Sequence, residues 1–254
     1  LFNVSTACAF VVAAAGGKVA KHGNRGASSK SGSADLLEQA GVVLAITPEQ
    51  VIRCIDYIGV GFMFAQTHHS AMKHAIGPRK EMKTRTIFNI LGPMTNPANA
   101  QNQVIGVFNS ELCPIMANVL NELKSNHVLV VHSLDGLDEL SICALSDVSE
   151  LKDGQVDSYQ IDPVKLGFHY DDLSGLQVDN AKESLELIQL ALSNEKSELA
   201  QKARDMIALN AGAAIYASNQ ASSIEQGIEM ANDAISSGMA LEKMNDLAAF
   251  TQAM

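Results

Sequence analysis

Nowhere in the 254 residues do eighteen apolar side chains run uninterrupted, so the sequence predicts no membrane span. The apolar stretch from Ala7 to Ala15 is too short to cross a bilayer and has no basic leader before it, which argues against a signal peptide. Paired cysteines are missing as well. Cys8, Cys54, Cys113 and Cys143 stand far apart in apolar surroundings, with no Cys-x-x-Cys and no zinc spacing. That pattern predicts buried free thiols and a reducing, cytoplasmic setting. Internal repeats, low-complexity tracts and long linkers are also absent, so one domain spanning residues 1–254 is the economical reading. Hydrophobic residues make up 47% and charged residues 18%, enough apolar side chain for a packed core and too little charge for a disordered chain.

Acid is missing from the first 34 residues, which hold Lys18, Lys21, Arg25 and Lys30 in a chain of net charge −10. The imbalance extends to residue 85, where the running charge is +5, and residues 86–254 carry −15. A compact positive region in an acidic protein suits a small anion better than nucleic acid, which asks for a broader basic face. The stretch Lys18–Ser33 concentrates the feature: a short strand-like run opens into a loop of Gly, Ser and Asn bearing His22, Arg25 and Lys30. Small residues let backbone N–H groups approach a ligand, and the cations match phosphate. An ordinary solvated loop has the same composition.

The flanking segments read as alternating helices and strands. An Ala-rich helix is expected over Ala7–Ala15, capped by Ser5 or Thr6 and ended by Gly16-Gly17; such a helix start can receive phosphate. A helix is expected over Ala34–Ala40. Thr47-Pro48-Glu49-Gln50 signals a capped helix running to about Ile58, with a strand over Val60–Ala65. Residues 66–85 form a second basic block of short helices, and Thr86–Leu91 is apolar and ends at Gly92-Pro93. A strand at Gln103–Phe108, a helix capped by Ser110 and a strand at His127–His132 give βαβ spacing, hence parallel strands covered by helices. Lys152-Asp153-Gly154 marks a hairpin between Asp147–Leu151 and Gln155–Ile161. Four helices are expected thereafter: Ala181–Leu192, Ser197–Ala217, Ile224–Ser236 and Leu241–Ala249. The class is α/β, a mixed, mainly parallel sheet flanked by helices.

Asp135, Asp138 and Glu139 cluster on a turn at the carboxyl end of a predicted strand, where ligands gather in such sheets. Hard carboxylates suit Mg²⁺ bridging to phosphate oxygens, although acidic turns are commonly only solvated.

Six segments carry a resemblance when taken in order. They are Asn3-Val4-Ser5-Thr6, Lys21-His22-Gly23-Asn24-Arg25, Ser29-Lys30-Ser31-Gly32-Ser33-Ala34-Asp35, His69 through Lys73, Arg85 through Pro93, and Asp135-Gly136-Leu137-Asp138-Glu139. Together they resemble the anthranilate phosphoribosyltransferase family over residues 1 to about 170. The resemblance implies a catalytic domain of the nucleoside phosphorylase/phosphoribosyltransferase type and transfer of the phosphoribosyl group of phosphoribosyl pyrophosphate to the amine of anthranilate, in tryptophan biosynthesis. It implies donor binding by Asn3, Val4, Ser5 and Thr6, by Lys21, His22, Gly23, Asn24 and Arg25, and by Gly26, Ala27, Ser28, Ser29 and Ser33. Anthranilate would meet Asn24 and Arg79, the latter because a guanidinium can pair with a carboxylate through two bonds. Two Mg²⁺ per site are implied, one at Ser5 and one at Asp138 and Glu139. His22 and His69 could line the acceptor site or be structural.

The family's Gly-Thr-Gly-Gly-Asp loop and helical dimerisation domain would precede Leu1. This stretch alone is therefore expected to be inactive or poorly dimeric, and the full-length protein a homodimer. Ser70 stands where the family usually has Pro, and Gly77-Pro78 precedes Arg79. A pyrimidine nucleoside phosphorylase is a second enzyme reading, disfavoured by Asp138-Glu139 and the Lys-His-Gly-Asn spelling. A non-catalytic nucleic-acid-binding relative is a third, disfavoured by a pI near 5.1.

Overall fold

The computed structural model describes residues 1–26, 30–68 and 88–254. Helix α1 (Val4–Ala14) leads into strand β1 (Val19–Gly23), followed by α2 (Ser33–Gln39), α3 (Pro48–Tyr57), β2 (Val60–Phe64) and the single turn α4 (Ala65–His68). After residues 69–87 come α5 (Phe88–Met94), β3 (Asn102–Gly106), α6 (Leu112–Glu122), β4 (His127–Ser133), β5 (Ser146–Lys152) and β6 (Gln155–Ile161). Helices α7 (Ala181–Leu192), α8 (Glu198–Ala217), α9 (Ile224–Ser236) and α10 (Met239–Gln252) complete the chain. No helix among the described residues is long and apolar enough to cross a membrane.

The described strands form two sheets. β1 and β2 run parallel, from Val19 opposite Val60 to Gly23 opposite Phe64. β3 and β4 are also parallel, and β5 and β6 extend that sheet antiparallel in the order β3-β4-β5-β6. The α/β class with flanking helices matches expectation, but the expected mainly parallel sheet does not: of the four described strand pairings two are parallel and two antiparallel, because the β5–β6 hairpin folds back against β4. The turn Asp153-Gly154 has φ of 51° and 78°, the left-handed pair that a two-residue hairpin requires.

Alternation along β4 divides the core. Leu129 and Val131 face the main core, while Val128 and Val130 join Leu151 and the buried face of α6 in a smaller cluster. Helix α1 is buried on nearly every side and packs on α8 and α10. Helices α8 and α9 cross at Gly212 and Gly227, where a Cβ on Gly227 would lie 2.2 Å from the Gly212 carbonyl oxygen. Only the missing side chains allow that approach.

Several local expectations need correction. Helix α1 starts at Val4, and neither Ser5 nor Thr6 caps it. Asn3 holds the cap position without a capping bond, because its Oδ1 accepts from Ser31 Oγ (2.9 Å) and Ser184 Oγ (2.8 Å). Ser110 does not cap α6; Asn109 Oδ1 accepts from the Glu111 N–H at 3.0 Å, and the helix begins at Leu112. Gly92-Pro93 does not end the preceding segment, since α5 carries Pro93 inside its last turn. Three of the four free cysteines are buried; Cys143 is only partly so, with Sγ donating to the Asp172 carbonyl. By contrast, Thr47 accepts from the Gln50 N–H and Gln50 Oε1 accepts from the Thr47 N–H, the reciprocal cap expected of that motif.

Candidate active site

A cleft of about 900 Å³ opens between β1 and β3, with α1 and the C-terminal half of α8 at its sides. It brings Ser5, Lys21, His22, Gly23, Asn24 and Ser33 onto the same surface as Asp138 and Glu139. These positions come from four separate stretches of sequence. Parallel β1 delivers the Lys21 end and β4 the acidic turn, so strand carboxyl ends face the cleft as the topology predicts.

Ser5 and Lys21 are directly linked: Lys21 Nζ donates to Ser5 Oγ at 3.2 Å. Burial lowers the Lys21 ammonium below the usual lysine range, opposed by the negative potential of Cys8 and Glu139. Glu139 shows the complementary effect. Burial first, and the neighbouring Asp138 second, push its carboxyl up to about 8, against the pull of Lys21 and the Ser5 amide. A carboxyl whose ionised form is disfavoured gains from a cation brought beside it.

Several expected site residues make contacts within the fold. Val4 and Thr6 are buried in the core, and Thr6 Oγ1 has no hydrogen-bond partner among the described residues. Asn3 ties the loop at Ser31 to α7 through Ser184. His22 Nε2 lies 2.9 Å from the Gly92 carbonyl oxygen. Arg25 pairs with Glu38, one bond at 2.7 Å, and with Asp35 at 3.3 Å, so its charge is neutralised locally. The Gly26 and Gly32 amides donate to Asp35, which folds the loop onto its own carboxylate. Lys30 pairs with Asp179. Ala27, Ser28, Ser29, His69 and Arg79 lie outside the described residues.

The acidic turn is built by its own side chains. Asp135 accepts from Ser133 Oγ (2.5 Å) and Ser141 Oγ (2.6 Å), so it braces the turn while Asp138 and Glu139 face the cleft. Gly106 on β3 leaves room for the turn, since a Cβ there would sit 1.6 Å from the Asp138 carbonyl oxygen. Across the cleft floor, Asn210 of α8 holds the backbone of Leu140. Sequence reasoning missed Gly106 and Asn210. Gly106 had a signal, a glycine at a strand end; a mid-helix asparagine has none.

Residues 1–241 match the model of a glycosyl transferase family, α/β domain. The anthranilate phosphoribosyltransferase of Ectopseudomonas mendocina is 62% identical over 251 residues, covering 99% of this chain and 72% of the relative. The chain belongs to the anthranilate phosphoribosyltransferase family. The enzyme of that name from Cellvibrio japonicus is likewise 62% identical, over 99% of this chain and 74% of the relative. Among solved structures, the anthranilate phosphoribosyltransferase of Thermus thermophilus superposes with a TM-score of 0.91 at 40% identity, over 99% of this chain and 74% of that one. The Saccharomyces cerevisiae member, solved in complex with PRPP (phosphoribosyl pyrophosphate) and Mg, superposes with a TM-score of 0.86 at 28% identity, over 100% of this chain and 70% of that one.

The donor atoms in this member of the family fit Mg²⁺. The described residues contain no group of three or more His, Cys, Asp or Glu able to cage a metal. Two adjacent carboxylates, one with its ionised form disfavoured, match a hard cation that keeps waters and completes its shell with substrate oxygens.

Proposed function

We propose that this cleft transfers the 5-phosphoribosyl group of phosphoribosyl pyrophosphate to the amine of anthranilate, releasing pyrophosphate, the step that commits anthranilate to tryptophan biosynthesis. The observation that carries the reading is the shared cavity of Lys21 and Glu139, with Lys21 Nζ donating to Ser5 Oγ beside them. A cationic wall and an acidic wall on one cleft are what a metal-bound polyphosphate requires.

In this reading Ser5 and Lys21 grip the donor, with Gly23, Asn24 and Ser33 beside them and Ala27, Ser28 and Ser29 as further donor ligands. Lys21 Nζ, now on Ser5 Oγ, turns to a phosphate oxygen. The bond from ribose C1 to pyrophosphate loosens toward an oxocarbenium-like state, and the anthranilate nitrogen attacks C1. Catalysis is positioning plus neutralisation of the departing charge. Asp138 and Glu139 would hold Mg²⁺, with a second ion at Ser5, and bound metal supplies charge stabilisation to the leaving phosphates. Asn24 and Arg79 would take the acceptor. Residues 1–254 act as the catalytic domain of a cytoplasmic enzyme that is a homodimer at full length.

Fluorescence-monitored anthranilate consumption by the complete protein tests the proposal. Activity should require both phosphoribosyl pyrophosphate and Mg²⁺; turnover on a nucleoside and inorganic phosphate without Mg²⁺ would overturn it. Arg79→Ala should raise the anthranilate KM far more than the donor KM, and equal effects would remove Arg79 from the acceptor site.

A further inference from the structure

We infer that Asn210, in the middle of α8, is a positioning residue for the Asp138–Glu139 pair. The inference rests on reading that pair as the metal-binding carboxylates.

The contact is specific. The Leu140 N–H donates to Asn210 Oδ1 at 2.9 Å, and Asn210 Nδ2 donates back to the Leu140 carbonyl at 2.9 Å. The second Nδ2 hydrogen is directed to the Met206 carbonyl at 3.0 Å, one turn back on the same helix. Every polar atom of a side chain that is only 8% exposed is therefore engaged. Two carbonyls on one side and an N–H on the other fix which way the amide points.

Leu140 directly follows Glu139, and its side chain is fully buried. The clamp therefore sets the backbone at the end of the carboxylate pair, while Gly106 admits the Asp138 carbonyl on the opposite side. Asp135 braces only the turn's own residues, Ser133 and Ser141. Asn210 instead references the pair to α8, which shares the cleft wall.

No close relative of asparagine reproduces the clamp. Aspartate has no donor and would set a carboxylate against two carbonyl oxygens. Serine is too short, and an apolar replacement would orphan a buried N–H and a buried C=O. Groups behind metal ligands matter because they hold the ligands in place, and removing one typically weakens metal binding about 10- to 100-fold.

The test uses the complete protein and Mn²⁺ with phosphoribosyl pyrophosphate, reading free Mn²⁺ by electron paramagnetic resonance. Asn210→Asp and Asn210→Ser should bind Mn²⁺ about 10- to 100-fold more weakly and need correspondingly more Mg²⁺ for turnover. Their anthranilate KM at saturating Mg²⁺ should stay unchanged, a split that general loosening of the fold would not give. The double variant Asp138→Asn with Glu139→Gln separates the two layers. If it binds Mn²⁺ like the parent, the reading of the pair fails and the inference falls with it. If it weakens binding while both Asn210 variants match the parent, the positioning role alone is overturned. Should both Asn210 variants unfold, amide exchange on the unaltered protein decides: a Leu140 amide as slow as the α8 core supports the clamp, and one as fast as open loop refutes it.

Discussion

Two glutamates in this molecule have been pushed in opposite directions. Glu139, in the cleft wall, is raised to about 8, while Glu150 on β5 is lowered to about 2. Both lie partly withdrawn from water, so burial alone cannot explain the difference. Glu150 has partners: His127 Nε2 lies 2.9 Å from its Oε1, Tyr216 donates to Oε1 at 2.7 Å, and Tyr159 donates to Oε2 at 2.9 Å. Burial would raise its carboxyl, but the bonds from His127, Tyr216 and Tyr159 outweigh it. The His127 ring is held on its other side by Asn219, 2.8 Å away, and stands edge-on to Tyr216. Glu150 belongs to a closed polar network, which is a structural device. Glu139 faces the cleft, where burial and Asp138 outweigh the pull of Lys21, and a carboxyl perturbed in this way inside a cleft is a candidate for function.

The largest expected effect follows from abolishing one side of that contrast. Asp138→Asn with Glu139→Gln should reduce Mg²⁺-dependent turnover by about 100-fold or more without lowering the melting temperature; a stable, fully active variant would show that the raised carboxyl has no catalytic purpose. Glu150→Gln should do the reverse. Loss of the buried anion opposite His127 and two tyrosines should cost about 2–4 kcal/mol of stability, read as a lower denaturation midpoint, with kcat and both KM values retained while the protein is folded.

Stability against pH distinguishes the two glutamates by sign. A carboxyl raised in the folded state binds more protons there than in the unfolded chain, so Glu139 makes the ligand-free protein less stable as pH rises from about 4.5 to 8. Glu150, lowered in the folded state, contributes stability above about 4.5 that disappears as pH falls toward 2. Each slope should approach about 1.4 kcal/mol per pH unit, the limit for one proton. Denaturant titrations should show Glu139→Gln flattening the upper slope and Glu150→Gln the lower; exchange of those effects would invalidate the contrast. The smallest effect is electrostatic. Lys21→Met should move the Glu139 titration further upward, as followed by carboxyl carbon chemical shift, because Lys21 opposes the rise; a downward move would remove Lys21 from its neighbourhood.

What could be read from the sequence was local or held in recurring motifs. The reciprocal cap at Thr47 and Gln50, the hairpin at Asp153-Gly154 and the parallel β3–β4 unit each involve neighbours or simple periodicity, and each is present. The family's motifs foretold that Ser5, Lys21 and the Asp138–Glu139 turn belong together, and one cleft contains them all. Errors arose where a side chain found a distant partner. Asn3 is engaged with Ser31 and Ser184, 28 and 181 residues away, so the first helix has an unexpected start. Arg25 also pairs with Glu38 on the next helix, a contact its charge alone did not announce. Asn210 meets Leu140 across 70 residues, and no local pattern announces it.

The crossing of α8 and α9 at Gly212 and Gly227 gives remote substitutions a route to the cleft. Asn210 sits half a turn from Gly212, so a single methyl at Gly227 would lever its helix outward and carry the amide away from Leu140. Inactivating lesions are then expected at a glycine that no substrate atom comes near.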